Sequence, residues 1–236
     1  MINDTNKPLI FVGSNTNIHL YVDIAKRIGY TIAGMVDDDY HGQGSFYDIP
    51  IIARLEELKD YNKYKDYQFI CVTNWQPKWL TLNYTVRDAN KRQQLIELME
   101  SAGLDIATII SPSSEIGSHN THIGRGVFID SFCQISNSVT IGDYTSIYSQ
   151  ASIGNETTVG RNCVLQRRVG VIGNVTIEDD VYMAAYSIMA KHYGKLSTGT
   201  VIHPGVQVMR DTEPGEVVGL QGKDLRRIYK GPTENE

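Results

Sequence analysis

Hydrophobic positions along the chain follow two rhythms, and the change falls near residue 106. Over residues 1–106, strand-like apolar runs alternate with helix-spaced ones. Leu9-Ile-Phe-Val12 is a short buried-type run that stops at Gly13. Ile18, Tyr21, Val22, Ile24, Ala25 and Ile28 then recur at helical spacing, and Gly29 fits a helix stop. Tyr30–Val36 reads as a second strand, Ile49–Ile52 as a short extended piece, and Leu55–Leu58 as the start of a small helix. Phe69–Val72 reads as another strand. Asp88–Ser101 reads as a helix with Leu95, Leu98 and Met99 on one face, ended by Gly103. Strand, glycine turn, helix and strand in this order predict a parallel α/β sheet with right-handed crossovers.

The second rhythm is a repeat of six. Stepping by six from Ile123 meets Ile129, Ile135, Ile141, Ile147, Ile153, Val159, Leu165, Val171, Ile177, Met183 and Met189 without a break. Four places after each aliphatic stands a small or β-branched residue, as at Val127, Cys133, Val139, Thr145, Ala151, Thr157 and Cys163. A helix repeats at 3.6 residues and a strand at 2, so neither gives this period. Three short flat strands per turn of a triangular prism do. The aliphatic points inward and stacks on its equivalent three hexads later, and the small residue fills a crowded corner. This predicts a hexapeptide parallel β-helix. Its register covers Ile110 and Ile116, slips by one residue before Ile123, slips again between Met189 and Leu196, and resumes through Ile202 and Val208. The coil therefore spans roughly 108–210, and Asp211–Lys230 is the candidate cap.

Composition narrows the classes of function. The chain has 236 residues with 22 Lys+Arg against 27 Asp+Glu, a formal charge of −5. That length buries one large core or two modest ones. The acidic balance argues against a nucleic-acid-coating protein, and no apolar run is long enough to span a bilayer. The start of the chain lacks the basic and apolar regions of a signal peptide, which points to the cytoplasm. Cys71, Cys133 and Cys163 are widely spaced and odd in number, so they read as buried thiols in a reducing compartment.

An α/β module followed by hexads resembles the bacterial sugar acetyltransferases. Among them it is most similar to the nucleotide-amino-sugar N-acetyltransferases and the sialic-acid O-acetyltransferase-like proteins. Asp211-Thr-Glu-Pro-Gly-Glu-Val-Val-Gly-Leu-Gln-Gly-Lys223 is similar to the family's closing segment, with Gln221-Gly222 where Pro-Ala is usual. Ala107–Ser113 is similar to its opening segment, with Ser111 in place of a common His. The resemblance implies a Rossmann-like nucleotide-sugar-binding domain over 1–106 and a left-handed β-helix over 107–236, capped by 211–236. It also implies a homotrimer that uses acetyl-CoA, with the thioester lying outside the prism between neighbouring subunits. The role would be synthesis of a polysaccharide or glycan precursor. Partners would be a nucleotide-linked amino sugar and acetyl-CoA, with no nucleic acid, membrane or metal. Two other readings fit the same motifs: a sugar O-acetyltransferase, and a non-catalytic nucleotide-sugar-binding protein.

Candidate site residues follow in part from local chemistry. Gly13-Ser14-Asn15-Thr16 joins a strand to a helix N-terminus, where backbone N–H groups and the dipole favour an anion. The same loop also serves as a plain βα turn. Asp37 and Asp38 end the second strand, at the sheet edge where ligands of such folds bind; a solvated acidic turn is the other reading. For acetyl transfer the resemblance implies a His at the position held here by Asn155 and a second His at the position of Val164; the adjacent Glu156 is a candidate base, although neighbouring positions on a flat hexad point in different directions. Asn takes no proton at neutral pH but can orient an amine or hydroxyl. For CoA the resemblance implies Gly173, Ala185, Gly205 and Lys223. Tyr186 narrows that channel, and a basic rim of Lys191, Lys195, Arg210, Lys223, Arg226, Arg227 and Lys230 would receive the phosphates. His119 and His122 have metal-ligand spacing without a third ligand nearby; His192 reads as an exposed bulge residue, with approach to the CoA side of the cleft as the other reading, and His203 begins His-Pro-Gly205 where the resemblance implies a Gly-Ala-Gly lining the CoA path. The segment 74–90, with both Trp residues, Arg87 and Asn90, has no assigned role.

Overall fold

The computed structural model describes residues 4–73 and 89–219, and the chain divides into two compact units, 1–112 and 113–236.

The first unit is built on a five-stranded sheet. Its strands are β1 (Leu9–Val12), β2 (Ile32–Val36), β3 (Ser45–Phe46), β4 (Ile49–Ala53) and β5 (Gln68–Cys71), in the order β3-β4-β2-β1-β5. All pairs are parallel except β3 with β4. Every residue of β1 is buried, as expected for a central strand covered on both faces. Helix α1 (Ile18–Arg27) buries Ile18, Tyr21, Val22, Ile24 and Ala25, the face marked by its apolar spacing. The expected small helix resolves into a 3-10 turn, Leu55–Lys59, and a short α2 (Tyr61–Tyr64). Helix α3 (Ala89–Ser101) packs Leu95, Ile96 and Met99 inward.

The second unit is a left-handed parallel β-helix of two-residue strands. One wall stacks Phe128–Ile129, Ser146–Ile147, Val164–Leu165, Tyr182–Met183, Val201–Ile202 and Val217–Val218. A second stacks Glu115–Ile116, Gln134–Ile135, Ser152–Ile153, Gly170–Val171, Ile188–Met189 and Gln207–Val208. A third stacks His122–Ile123, Thr140–Ile141, Thr158–Val159, Thr176–Ile177 and Lys195–Leu196. Partners such as Ile135, Ile153 and Val171 are paired in register, so the hexad aliphatics form continuous inward columns. Ile153, Ile147 and Ile177 are fully buried. Val217–Val218 pairs with Val201–Ile202, so the coil runs past the expected end at 210 into the segment expected as cap. Residues 220–236 of that cap lie outside the described residues.

The corners carry a feature that the hexad pattern does not announce. Every sixth residue from Phe132 to Tyr186 is non-glycine and has a left-handed φ between 53° and 63°. A left-handed L-residue costs about 1–2 kcal/mol. The compensation is directional. The left-handed turn aims that residue's N–H at a carbonyl of the preceding coil, as in Tyr144→Arg125 at 2.8 Å, Arg168→Ser149 at 3.0 Å and Asn174→Asn155 at 2.8 Å. The outward residues of the second and third walls, such as Gln134, Ser152, Thr140 and Thr158, face solvent. Those of the first wall, Phe128, Ser146, Val164 and Tyr182, are buried.

Candidate active site

In the first unit the candidate nucleotide residues gather at the C-terminal edge of the sheet. Val12 of β1 is in register with Val36 of β2 and Cys71 of β5, so the segments that follow these strands leave side by side. Gly13 has φ 77° and donates its N–H to Val36 O at 2.9 Å. A Cβ there would lie 2.0 Å from Thr73 Oγ1 and 2.7 Å from Leu95, so only glycine fits between loop and helix. Ser14 is buried and Thr16 exposed. Asn15 holds the loop's shape: its Nδ2 donates to Val72 O at 3.0 Å, and its Oδ1 accepts from Asn17 N–H at 2.8 Å. Asp37 is fully buried; its Oδ1 accepts from Asp39 N–H at 2.8 Å, and its Oδ2 has no partner. Asp38 is exposed and accepts from Leu55 N–H at 2.9 Å. Asp38 and Asp39 line a cleft of about 340 Å³ with Leu55, Lys91, Gln94, Leu95 and Leu98, where Lys91 and Asp39 form an ion pair. Arg92, fully buried on α3, donates to Thr73 O at the same edge. The helical spacing marked its neighbours as core but gave no sign that an Arg would be buried with them.

In the second unit Asn155 sits at the corner between the second and third walls. It is exposed, and its side-chain amide makes no hydrogen bond to the described residues. Glu156, the next residue, is the left-handed corner with φ 56°, also exposed. Gly173 is on the same corner one coil later, and a Cβ on it would lie 3.0 Å from Asn155 O. His192 follows on the next coil and hydrogen-bonds Gly173 O through Nδ1 at 3.0 Å. The seven-residue step between Met189 and Leu196 bulges the chain there and brings the ring to this corner, a consequence that the register slip signalled only as an irregularity.

The candidate CoA residues Ala185 and Gly205 lie on a different corner, between the first and second walls. Tyr186 shares it, 56% exposed, with its OH accepting from Arg168 Nη1 at 2.8 Å. Arg168 also donates from Nε to Gln150, so the three side chains form a ladder up that corner. Of the expected basic rim, Lys191 pairs with Asp211 at 2.8 Å, Lys195 with Glu178 at 3.2 Å, and Arg210 with Glu216. Lys223, Arg226, Arg227 and Lys230 lie outside the described residues, as do both Trp residues and Arg87.

The cysteines are buried and free. Burial pushes the Cys71 thiol up, Cys133 up to about 11 and Cys163 up to about 12, which removes them as nucleophiles near neutral pH. Burial also pushes His203 below its ordinary value. Among the described residues no group of three or more His, Cys, Asp or Glu is placed to hold a metal ion, and no helix is long and apolar enough to cross a membrane.

Residues 120–155 match the family described as bacterial transferase hexapeptide (six repeats). The chain is 32% identical over 126 residues to UDP-3-O-acylglucosamine N-acyltransferase of Methylorubrum extorquens, covering 53% of this chain and 33% of that one. It thus spans about a third of the length of such relatives. A histidine-to-asparagine variant of perosamine N-acetyltransferase from Caulobacter crescentus, solved with CoA and GDP-perosamine, superposes with a TM-score of 0.77. That match has 17% identity and covers 90% of this chain and 93% of that one. WeeI from Acinetobacter baumannii superposes with a TM-score of 0.62 at 17% identity, covering 89% and 96%. The chain is a hexapeptide-repeat protein with the fold of the bacterial sugar N-acetyltransferases.

Proposed function

We propose that this protein transfers the acetyl group of acetyl-CoA to the amino group of a nucleotide-linked amino sugar. The observation that carries this reading is the pairing of two sites on one chain. One is a sheet edge with a glycine loop and a buried, half-satisfied carboxylate, Asp37. The other is a β-helix corner where the free amide of Asn155 lies beside the side-chain-less Gly173. Asp37 suits the donors of a ribose or base, and the loop at Gly13–Thr16 suits a diphosphate. Gly173 leaves backbone accessible beside Asn155, as a slender pantetheine arm requires. The solved neighbour with CoA and GDP-perosamine supports the same pair of ligands.

In this reading the amide of Asn155 orients the acceptor amine against the thioester carbonyl, contributing position rather than a proton transfer. A hydroxyl acceptor is a weaker nucleophile with more need of a base, so the amine suits this corner better. The protein works as a cytoplasmic homotrimer. The test is release of free thiol from acetyl-CoA with a panel of UDP-, dTDP- and GDP-linked amino sugars. Turnover with at least one amine is expected, and Asn155→Ala should lower kcat by about tenfold or more. Tight nucleotide-sugar binding with no thiol release from any amine would overturn the reading.

A further inference from the structure

The reaction of an amino sugar has a need that Asn155 cannot meet. At neutral pH the free amine is largely an ammonium, which has no lone pair. One proton must leave before the nitrogen can attack, and a carboxamide does not take it.

His192 is placed to take it. Its Nδ1 lies 3.0 Å from the carbonyl oxygen of Gly173. A carbonyl oxygen only accepts, so Nδ1 carries the hydrogen and donates it. In the neutral ring this leaves the lone pair on Nε2. An acceptor on one nitrogen thus sets the basic nitrogen on the other, as an orienting group does for a catalytic imidazole.

The location is equally specific. Ile153, Val171 and Met189 are paired in register on successive coils, so Asn155, Gly173 and the bulge with His192 climb one corner. Strand spacing of about 4.8 Å per coil sets the bulge two coils above Asn155, roughly 10 Å along the corner, and the ring reaches back to the Gly173 carbonyl that lies between them. His192 is exposed. The charged groups around the bulge are engaged elsewhere: Lys191 with Asp211 at 2.8 Å and Lys195 with Glu178 at 3.2 Å. The Tyr193 ring lies 6.5 Å away, and Glu156 occupies the corner two coils below.

We propose that His192 Nε2 is the proton acceptor for the acceptor amine, acting directly or through one water, in place of a base at position 155. This rests on the transferase reading above. The ammonium gives one proton to Nε2. The freed amine lone pair attacks the thioester carbon, a C–N bond forms, and the C–S bond breaks with its electrons leaving on CoA sulfur. The second proton of the nitrogen goes to that thiolate, and the imidazolium returns its proton to solvent.

Two measurements test it. His192→Gln should lower kcat by about 10²-fold, leave the KM of both substrates within about threefold, move the acid limb of the kcat/KM profile, and be partly rescued by added imidazole. Two-bond ¹H–¹⁵N correlation of the neutral ring should show the Nδ1–H tautomer in the unmodified protein. A variant with near-normal kcat and an unmoved acid limb, a variant affected only in the KM for acetyl-CoA, or an Nε2–H tautomer would each overturn the role of His192. Absence of turnover in the unmodified protein would instead overturn the transferase reading, and this role with it.

Discussion

The backbone carbonyl of Asn155 accepts a hydrogen bond from Asn174 N–H at 2.8 Å, and the same oxygen sits 3.0 Å from where a side chain on Gly173 would begin. The residue proposed to orient the nucleophile is therefore held from above by the corner that the thioester would pass. Gly173→Ala forces that contact to give by a few tenths of an ångström. We expect the KM for acetyl-CoA to rise about tenfold, with a stability loss of about 1 kcal/mol or less because the corner is open to solvent. Steady-state kinetics and denaturant melts on the same preparation separate the two.

Glu156 can be examined without disturbing its turn. Its φ of 56° is a conformation that glycine adopts freely. Glu156→Gly should fold with unchanged or slightly raised stability, by up to about 1 kcal/mol. Any loss of turnover in that variant then belongs to the carboxylate. Turnover within about twofold of the unmodified protein would show that Glu156 serves the corner alone.

Asp37 should report on nucleotide binding. Its unpartnered Oδ2 in a fully buried side chain awaits a donor. Asp37→Asn keeps an oxygen for Asp39 N–H but loses the charge. The affinity for the nucleotide sugar should fall by about 10- to 100-fold, the worth of one charged hydrogen bond, as read by calorimetry. An unchanged affinity would place the nucleotide elsewhere.

The inward column makes a contrast in stability. Ile153 is fully buried, whereas Thr140 on the third wall faces out. Ile153→Ala should cost about 2–5 kcal/mol in chemical unfolding, and Thr140→Ala no more than about 0.5 kcal/mol.

Acid should loosen the last coils. Hydrogen bonds from Thr198 N–H and Lys195 hold Glu178 below its usual range, Lys191 does the same for Asp211, and Arg210 for Glu216. Between their lowered folded values and the ordinary ones the unfolded chain binds more protons, so stability rises with pH there. It is fully present above the ordinary carboxylate range and is lost as pH falls through the lowered values. Thermal melts between about pH 3 and 6 should show this slope, and Asp211→Asn should flatten part of it.

Much of the architecture was already written in the order of residues. A period of six fits a prism of flat walls, because one hexad per wall returns every sixth side chain inward. The aliphatics from Ile123 to Met189 and the small residues after them could therefore be assigned without coordinates. The βα turn at Gly13 and the strand end at Asp37 were legible for the same reason: they are local. The left-handed corners were not, since Phe132, Glu156, Arg168 and Tyr186 share no residue type. Their conformation is imposed by a hydrogen bond to the coil before, nineteen residues back for Tyr144, Arg168 and Asn174. Nor did sequence show that Asp37 would keep an unmet buried oxygen, that the described basic residues near the coil's end would pair with acids, or that a one-residue slip would set His192 on the carbonyl of Gly173. Each of these depends on which side chains stacking brings together. Periodicity specifies the stack, and only the folded coil decides what meets across it.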